Sequence, residues 1–169
     1  MRAWTWLLPI ALSPLPLQAQ MSSNFQVSAQ VEPGCLVNAS EANASLGLLG
    51  TLDFGVHSSL STATVQAALL RNAGIVLACT PGTPLVMRVD GGQHFDGSRR
   101  LQRDPSSLLA YRVYRQPDCI DEIAVGVDIA IDTTTSPDDI ALPLHGCVAL
   151  PGNAAAGTYQ DTLVVTLAW

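Results

Sequence analysis

The sequence predicts an all-β domain of immunoglobulin-like sandwich type. Apolar and polar residues alternate in short runs, and no stretch sustains a helical period. Gly- and Pro-rich turn signals separate these runs every ten residues or so, the spacing of a sandwich of short strands. With 169 residues, 48% hydrophobic and 13% charged, the chain has the means to bury one core and is not of the disordered class.

Met1 to Ala19 reads as a secretion signal, with Arg2 at its start, an apolar segment from Trp4 to Leu17 and a small residue at Ala19. Pro9, Pro14 and Pro16 make it too broken for a membrane-spanning helix, and no later run is long enough to insert in a membrane. Residues 20–34 form an N-terminal extension, followed by a domain over residues 35–169. In the extension Phe25, Val27, Ala29 and Val31 alternate with Gln26, Ser28 and Gln30, the pattern of a strand with one buried face. Removal of the leader would leave this strand free at one end and tethered at Cys35. Such a strand can pair within its own domain or with a neighbour.

The remaining elements follow in order. Asn38 to Leu48 is a polar loop holding two Asn-Ala-Ser triplets of glycosylation-acceptor form, which chance also supplies in such a loop. Thr51–Gly55 is a short strand, and Ala63–Arg71 has room for a turn or two of helix between β-like flanks. Gly74–Thr80 is a strand stopped by Pro81-Gly82, and Leu85–Val89 is the next, closed by Asp90-Gly91-Gly92. His94 to Ser107 reads as a solvated crossover loop. Leu108–Arg115 places Leu109, Tyr111 and Val113 on one face and Arg112 with Tyr114 on the other. Ile123–Ile131 carries Val125, Val127, Ile129 and Ile131 in step. Ile140–Val148 is a strand interrupted by Pro143, and Tyr159–Trp169 has the strongest alternation in the chain.

Charge and composition exclude several functions. The net charge is −6, so no basic surface is available to displace counterions from nucleic acid or to meet anionic lipid. All eight basic residues are arginine, which rules out Schiff-base chemistry and covalent assembly through a lysine amine. Cys35, Cys79, Cys119 and Cys147 are even in number and widely spaced, which in an exported chain reads as two disulfides with three possible connectivities. No cysteine or histidine spacing suits a metal, and no cofactor motif is present. Asp53, His57 and Ser58 are triad-type residues without a nucleophile elbow, and read better as loop residues. His94 with Asp96 reads as a solvated pair rather than a metal site. Arg99, Arg100 and Arg103 read as a solvated face, and one of Tyr111 and Tyr114 as core rather than a sugar platform.

Taken together, the motifs resemble the spore coat protein U family, which includes the pilins of the Csu-type, or archaic, chaperone–usher pathway. The resemblance runs from Phe25-x-Val-x-Ala-x-Val31 and Cys35 through Gly50-Thr-Leu-Asp-Phe-Gly55 and Val76-Leu-Ala-Cys79-Thr80. It continues with Asp90-Gly-Gly92, Arg100-Leu101 and Ala110-Tyr-Arg-Val-Tyr-Arg115, and ends with Gly157-x-Tyr159-x-Asp161-Thr-Leu-Val-Val-Thr166. It implies an immunoglobulin-like sandwich lacking one strand. A periplasmic chaperone fills the gap first; after delivery to the outer-membrane usher, the N-terminal extension of another subunit fills it by strand addition. Phe25, Val27, Ala29 and Val31 would then be the donor residues, and Leu163, Val165, Leu167 and Trp169 either close the sandwich as its last strand or line the groove. Four inserted side chains at about 1.5–3 kcal/mol each would contribute on the order of 6–12 kcal/mol before ordering costs.

The same resemblance implies a Cys35–Cys79 disulfide, leaving Cys119 with Cys147. Many relatives carry Trp-Gly after the Tyr-x-x-Tyr strand, where this chain has Cys119-Ile120-Asp121. The leading expectation is therefore a structural pilus subunit at the cell surface, supporting adhesion and biofilm formation, with chaperone, usher and other subunits as partners. The alternative is a secreted carbohydrate- or surface-binding module with a complete fold. A secreted hydrolase has least support, since no catalytic constellation stands out.

Overall fold

The computed structural model describes residues 20–37, 47–72 and 75–169; the leader and both Asn-Ala-Ser triplets lie outside the described residues. The chain divides into two units, Met1–Val31 and Glu32–Trp169. In the first, residues 20–31 carry no strand, and Phe25, Val27 and Val31 are 85, 83 and 92% exposed. The alternation at Asn24–Val31 is thus not expressed as a strand in the single chain. An extended segment needs a ladder partner before its pattern can bury anything.

The second unit is all-β, as expected. Its strands are β1 (Cys35–Val37), β2 (Gly50–Leu52), β3 (Thr64–Arg71), β4 (Leu77–Cys79), β5 (Leu85–Val89) and β6 (Arg99–Asp104). They continue with β7 (Ser107–Gln116), β8 (Ile120–Glu122), β9 (Asp128–Ile131), β10 (His145–Ala149) and β11 (Val165–Ala168). One sheet runs β2-β3-β10-β7-β6, with β8 added to β7; a second runs β11-β5-β9, and β1 pairs with β4. Every pairing is antiparallel.

The core forms where period-two faces from these sheets meet. Tyr111 and Val113 of β7 and Val148 of β10 pack in one cluster with Leu85, Met87 and Val89 of β5, Ile129 of β9 and Leu77 of β4. Met87, Val89 and Val113 are fully buried. Burying side chains of this size contributes about 1.5–3 kcal/mol each, which is what fixes the register of strands with one wet face.

Several elements differ from the sequence expectation. Ala63–Arg71 is strand, because β3 is paired on both sides, by β2 and β10, and Val65, Ala67 and Leu69 turn inward. His94–Ser107 is not all loop: Arg99–Asp104 pairs with β7 as β6. Val125 and Val127 are 42 and 51% exposed, since β9 begins only at Asp128. Ile140, Leu142 and Leu144 are buried without strand pairing, Pro143 lies among them, and β10 starts at His145. The C-terminal strand is shorter than its pattern, covering Val165–Ala168. Among the described residues no helix is long and apolar enough to cross a membrane.

Candidate functional site

The candidate site lies beside β1 and β11. Among the described residues β1 pairs only with β4, and β11 only with β5. Both contribute to one narrow apolar cleft of about 10 Å³, lined by Val37 of β1, Leu77 of β4 and Leu167 of β11, with Leu49, Ile75 and Leu142. Arg71 also reaches this cleft, held by a two-pronged contact with Asp139 at 2.6 and 3.1 Å. That hydrogen-bonded pairing raises the Arg71 pKa and lowers that of Asp139. Open edges bordering an apolar cleft are where an added strand gains both ladder bonds and burial.

Each proposed groove residue can be placed. Leu163, Val165 and Leu167 are half-buried and pack against the core, and of the four predicted groove residues Leu167 alone lines the cleft. Trp169 is 39% exposed, and its indole Nε1 lies 3.9 Å from where a Cβ on Gly34 would stand. The C-terminal rim therefore comes close to the root of the N-terminal extension.

The root is fixed covalently. Cys35 and Cys79, directly opposite in the β1–β4 register, form a disulfide with a Cα–Cα distance of 4.0 Å. Cys119 and Cys147 form the second, at 6.1 Å, joining the β7–β8 turn to β10. Closing loops of 44 and 28 residues stabilises by roughly 3–4 kcal/mol each in the chain-entropy account.

A buried polar knot sets the position of β11. The Asp161 side chain is 1% exposed and accepts the Tyr111 hydroxyl at 2.8 Å and the His94 backbone N–H at 3.3 Å, with His94 Nδ1 at 3.0 Å. Burial, the bond to Asp161 and its charge together push the Tyr111 pKa well above the ordinary phenol value. Asp90 Oδ1 accepts the N–H groups of Gly92 and Val164 at 3.0 and 2.9 Å, and the Asp90 N–H donates to the Val164 carbonyl at 3.1 Å. The run from Asp161 into β11 is thereby fastened to the turn after β5. Gly92 has φ +84, and a Cβ there would stand 2.1 Å from Asp161 Oδ2.

Arg99 completes the knot from β6. It is 3% exposed and donates to the carbonyls of Asp90, Ile123 and Val89 at 2.9, 2.7 and 3.3 Å. Burial lowers its pKa, against the opposing influence of Tyr111, Asp90, Glu122 and Asp161. The expectation of a solvated Arg99 is therefore corrected: three backbone carbonyls replace its water shell. Arg100 and Arg103 do sit nearer the surface, in ion pairs with Asp96 and Asp104.

The remaining polar candidates make local bonds. Asp53 accepts the Gly55 N–H, His57 Nε2 lies 2.6 Å from the Phe54 carbonyl, and Ser58 accepts the Leu60 N–H. His94 turns to Asp161 rather than to Asp96. Tyr111 is the core tyrosine of its pair. Asp161, His94 and Asp90 were not singled out by sequence as a group; the one local signal is Asp90-Gly91-Gly92, where the missing side chains make room for Phe95 and Asp161.

Strand edges paired on one side, an apolar cleft and a disulfide-fixed root thus lie together in an all-β domain. Comparison with known proteins gives the family. The Spore Coat Protein U domain family matches residues 21–166, and the chain belongs to it. No curated protein matches. Among solved structures, a chain of the CsuC–CsuE chaperone–tip adhesion subunit pre-assembly complex, from the archaic chaperone–usher Csu pili of Acinetobacter baumannii, is similar at 18% identity and TM-score 0.47. That match covers 82% of this chain and 40% of the other. A chain of a chaperone–tip adhesin complex of CFA/I fimbriae biogenesis is similar at 14% identity and TM-score 0.46, over 79% of this chain and 42% of the other. The chain thus spans about two fifths of the length of these solved chains.

Proposed function

We propose that this protein is a structural pilus subunit that polymerises by donor-strand exchange. The segment Asn24–Val31 of one copy, or of a related subunit, adds to the cleft between β1 and β11 of the next. Phe25, Val27, Ala29 and Val31 enter it, and Leu163, Val165, Leu167 and Trp169 form its rim. Before assembly, a periplasmic chaperone supplies the missing strand and passes the subunit to an outer-membrane usher. The leader at Met1–Ala19 directs export, residues 20–34 serve as the donor extension, and residues 35–169 are the acceptor domain. The fibre stands at the cell surface, where it supports adhesion and biofilm formation.

One observation carries the reading. Two strand edges that each pair on a single side share an apolar cleft, while the exposed extension holds an alternating apolar face of matching type. Deleting Asn24–Val31 tests it: the variant is expected to be exported and capped by chaperone but absent from fibres. Fibre formation at the wild-type level would contradict donor-strand exchange.

A further inference from the structure

The two disulfides lie in different surroundings. Cys35 and Cys79 belong to the core cluster, at 3 and 7% exposure. Cys147 is also 7% exposed, but it faces away from its core neighbour Val148 along β10. Directly across from it stand Gln66 of β3 and Arg112 of β7, both exposed residues on the outer face of the sheet. The turn carrying Cys119 lies over this face. It is held by the Asp118 N–H donating to Gln66 Oε1 at 3.0 Å and by Gln66 Nε2 donating to Asp118 Oδ1 at 3.4 Å.

The turn is also strained. Asp118, Cys119 and Asp121 have φ of 62, 58 and 62, in the left-handed region that L-residues avoid. Aspartate tolerates it through local hydrogen bonding, but a cysteine has no such compensation. Cys119 is part-exposed. A part-exposed cysteine on a strained turn, bonded to a partner on the outer face of the sheet, is the arrangement of a labile disulfide.

We propose that Cys119–Cys147 is a reducible modification site, opened by a dithiol reductant while Cys35–Cys79 stays closed. The reductant's thiolate attacks Cys119 Sγ, the S–S bond breaks, and Cys147, in register with Arg112 on the neighbouring strand, leaves as a thiolate before taking up a proton. The reductant's second thiol then attacks the mixed disulfide and releases Cys119 as a thiol. Two electrons pass to the protein, and the reductant ends as its own disulfide. A cation across the strand pair stabilises the departing thiolate.

Opening releases the hairpin tip over residues 117–122, including Glu122, which pairs with Arg112 at 3.0 Å. The release stops at Ile123, which is 1% exposed, donates its N–H to the Val113 carbonyl at 2.8 Å and holds Arg99 through its own carbonyl. The ladders from β10 to β3 and β7 do not depend on the disulfide.

To test this, the folded full chain is exposed to graded dithiothreitol, quenched with iodoacetamide and mapped by peptide mass spectrometry, with far-ultraviolet circular dichroism in parallel. Cys119 and Cys147 are expected to label at least about tenfold faster than Cys35 and Cys79 while the β signal is unchanged. Simultaneous labelling of both pairs, earlier labelling of Cys35 and Cys79, or labelling only as the β signal is lost would overturn the proposal. Arg112→Ala is expected to slow opening several-fold without changing Cys35–Cys79; an unchanged rate removes Arg112 from the mechanism.

Discussion

Tyr111 donates its hydroxyl to the buried Asp161 carboxylate across 2.8 Å, tying the centre of β7 to the residue that starts the run into β11. The relationship spans 50 residues and couples the interior of one sheet to the open edge of the other. The position of that edge therefore depends on a hydrogen-bonded carboxylate as well as on apolar packing.

Tyr111→Phe keeps the ring and removes the donor. Leaving a buried carboxylate short of one partner costs about 1–3 kcal/mol, to be read as a lower denaturant midpoint with an unchanged slope. The pH dependence follows from the raised Tyr111 pKa. The folded state holds this proton more tightly, so the contribution is fully present below the unfolded phenol value of about 10 and is lost as pH rises above it. The Tyr111 Cζ resonance is expected to show no ionisation at pH 10.

Gly92→Ala places a methyl group 2.1 Å from Asp161 Oδ2 on a backbone with φ +84. Either the carboxylate or the turn must move, and both fasten β11. A loss of more than about 2 kcal/mol is expected. Hydrogen exchange should rise along Asp161–Ala168 before the rest of the domain.

Arg99→Ala leaves the carbonyls of Asp90, Ile123 and Val89 without their donors and opens a space under β6. The expected cost is about 3–5 kcal/mol, measured by thermal or denaturant unfolding. Arg99→Lys should recover only part of this, because one ammonium group does not reproduce a planar fork with three separate targets.

On the exposed loop after β9, Asp132 accepts the Thr134 hydroxyl and N–H at 2.6 and 2.8 Å and also the Thr135 hydroxyl. These bonds, led by those from Thr134 and Thr135, lower its pKa from 3.8 to about 2. A lowered carboxylate pKa means that the contribution is complete above the unfolded value and is lost as pH falls from about 4 to about 2. A carboxyl-carbon NMR titration should place the midpoint near the lower figure, and Thr134→Val should raise it.

Strands with one buried face were legible, as in Leu85–Val89, because burial of Leu85, Met87 and Val89 is written in the alternation. β6 was not. Arg99-Arg100-Leu101-Gln102-Arg103-Asp104 has a single apolar residue, and it forms a strand because β7 pairs it along its length and Gln160 bridges Gln102. The buried state of Arg99 was hidden for a related reason: its acceptors are backbone carbonyls 9, 10 and 24 residues away, which no side-chain pattern marks. β11 was overextended because the alternation of Tyr159–Trp169 continues through Asp161–Val164, where polar contacts to the turn after β5 replace a ladder. The extension showed its apolar face in sequence, but a face gives no address. Periodicity cannot say in which molecule Phe25 is buried.

The most direct measurement compares the domain alone, residues 32–169, with the same domain carrying Asn24–Val31 joined by a flexible linker after Trp169. If the cleft between β1 and β11 awaits a strand, the first protein associates or aggregates. The second is then a soluble monomer that melts at least about 10 °C higher, the shift that several kcal/mol produces in a domain of this size. Two monomers of equal melting temperature would contradict the account.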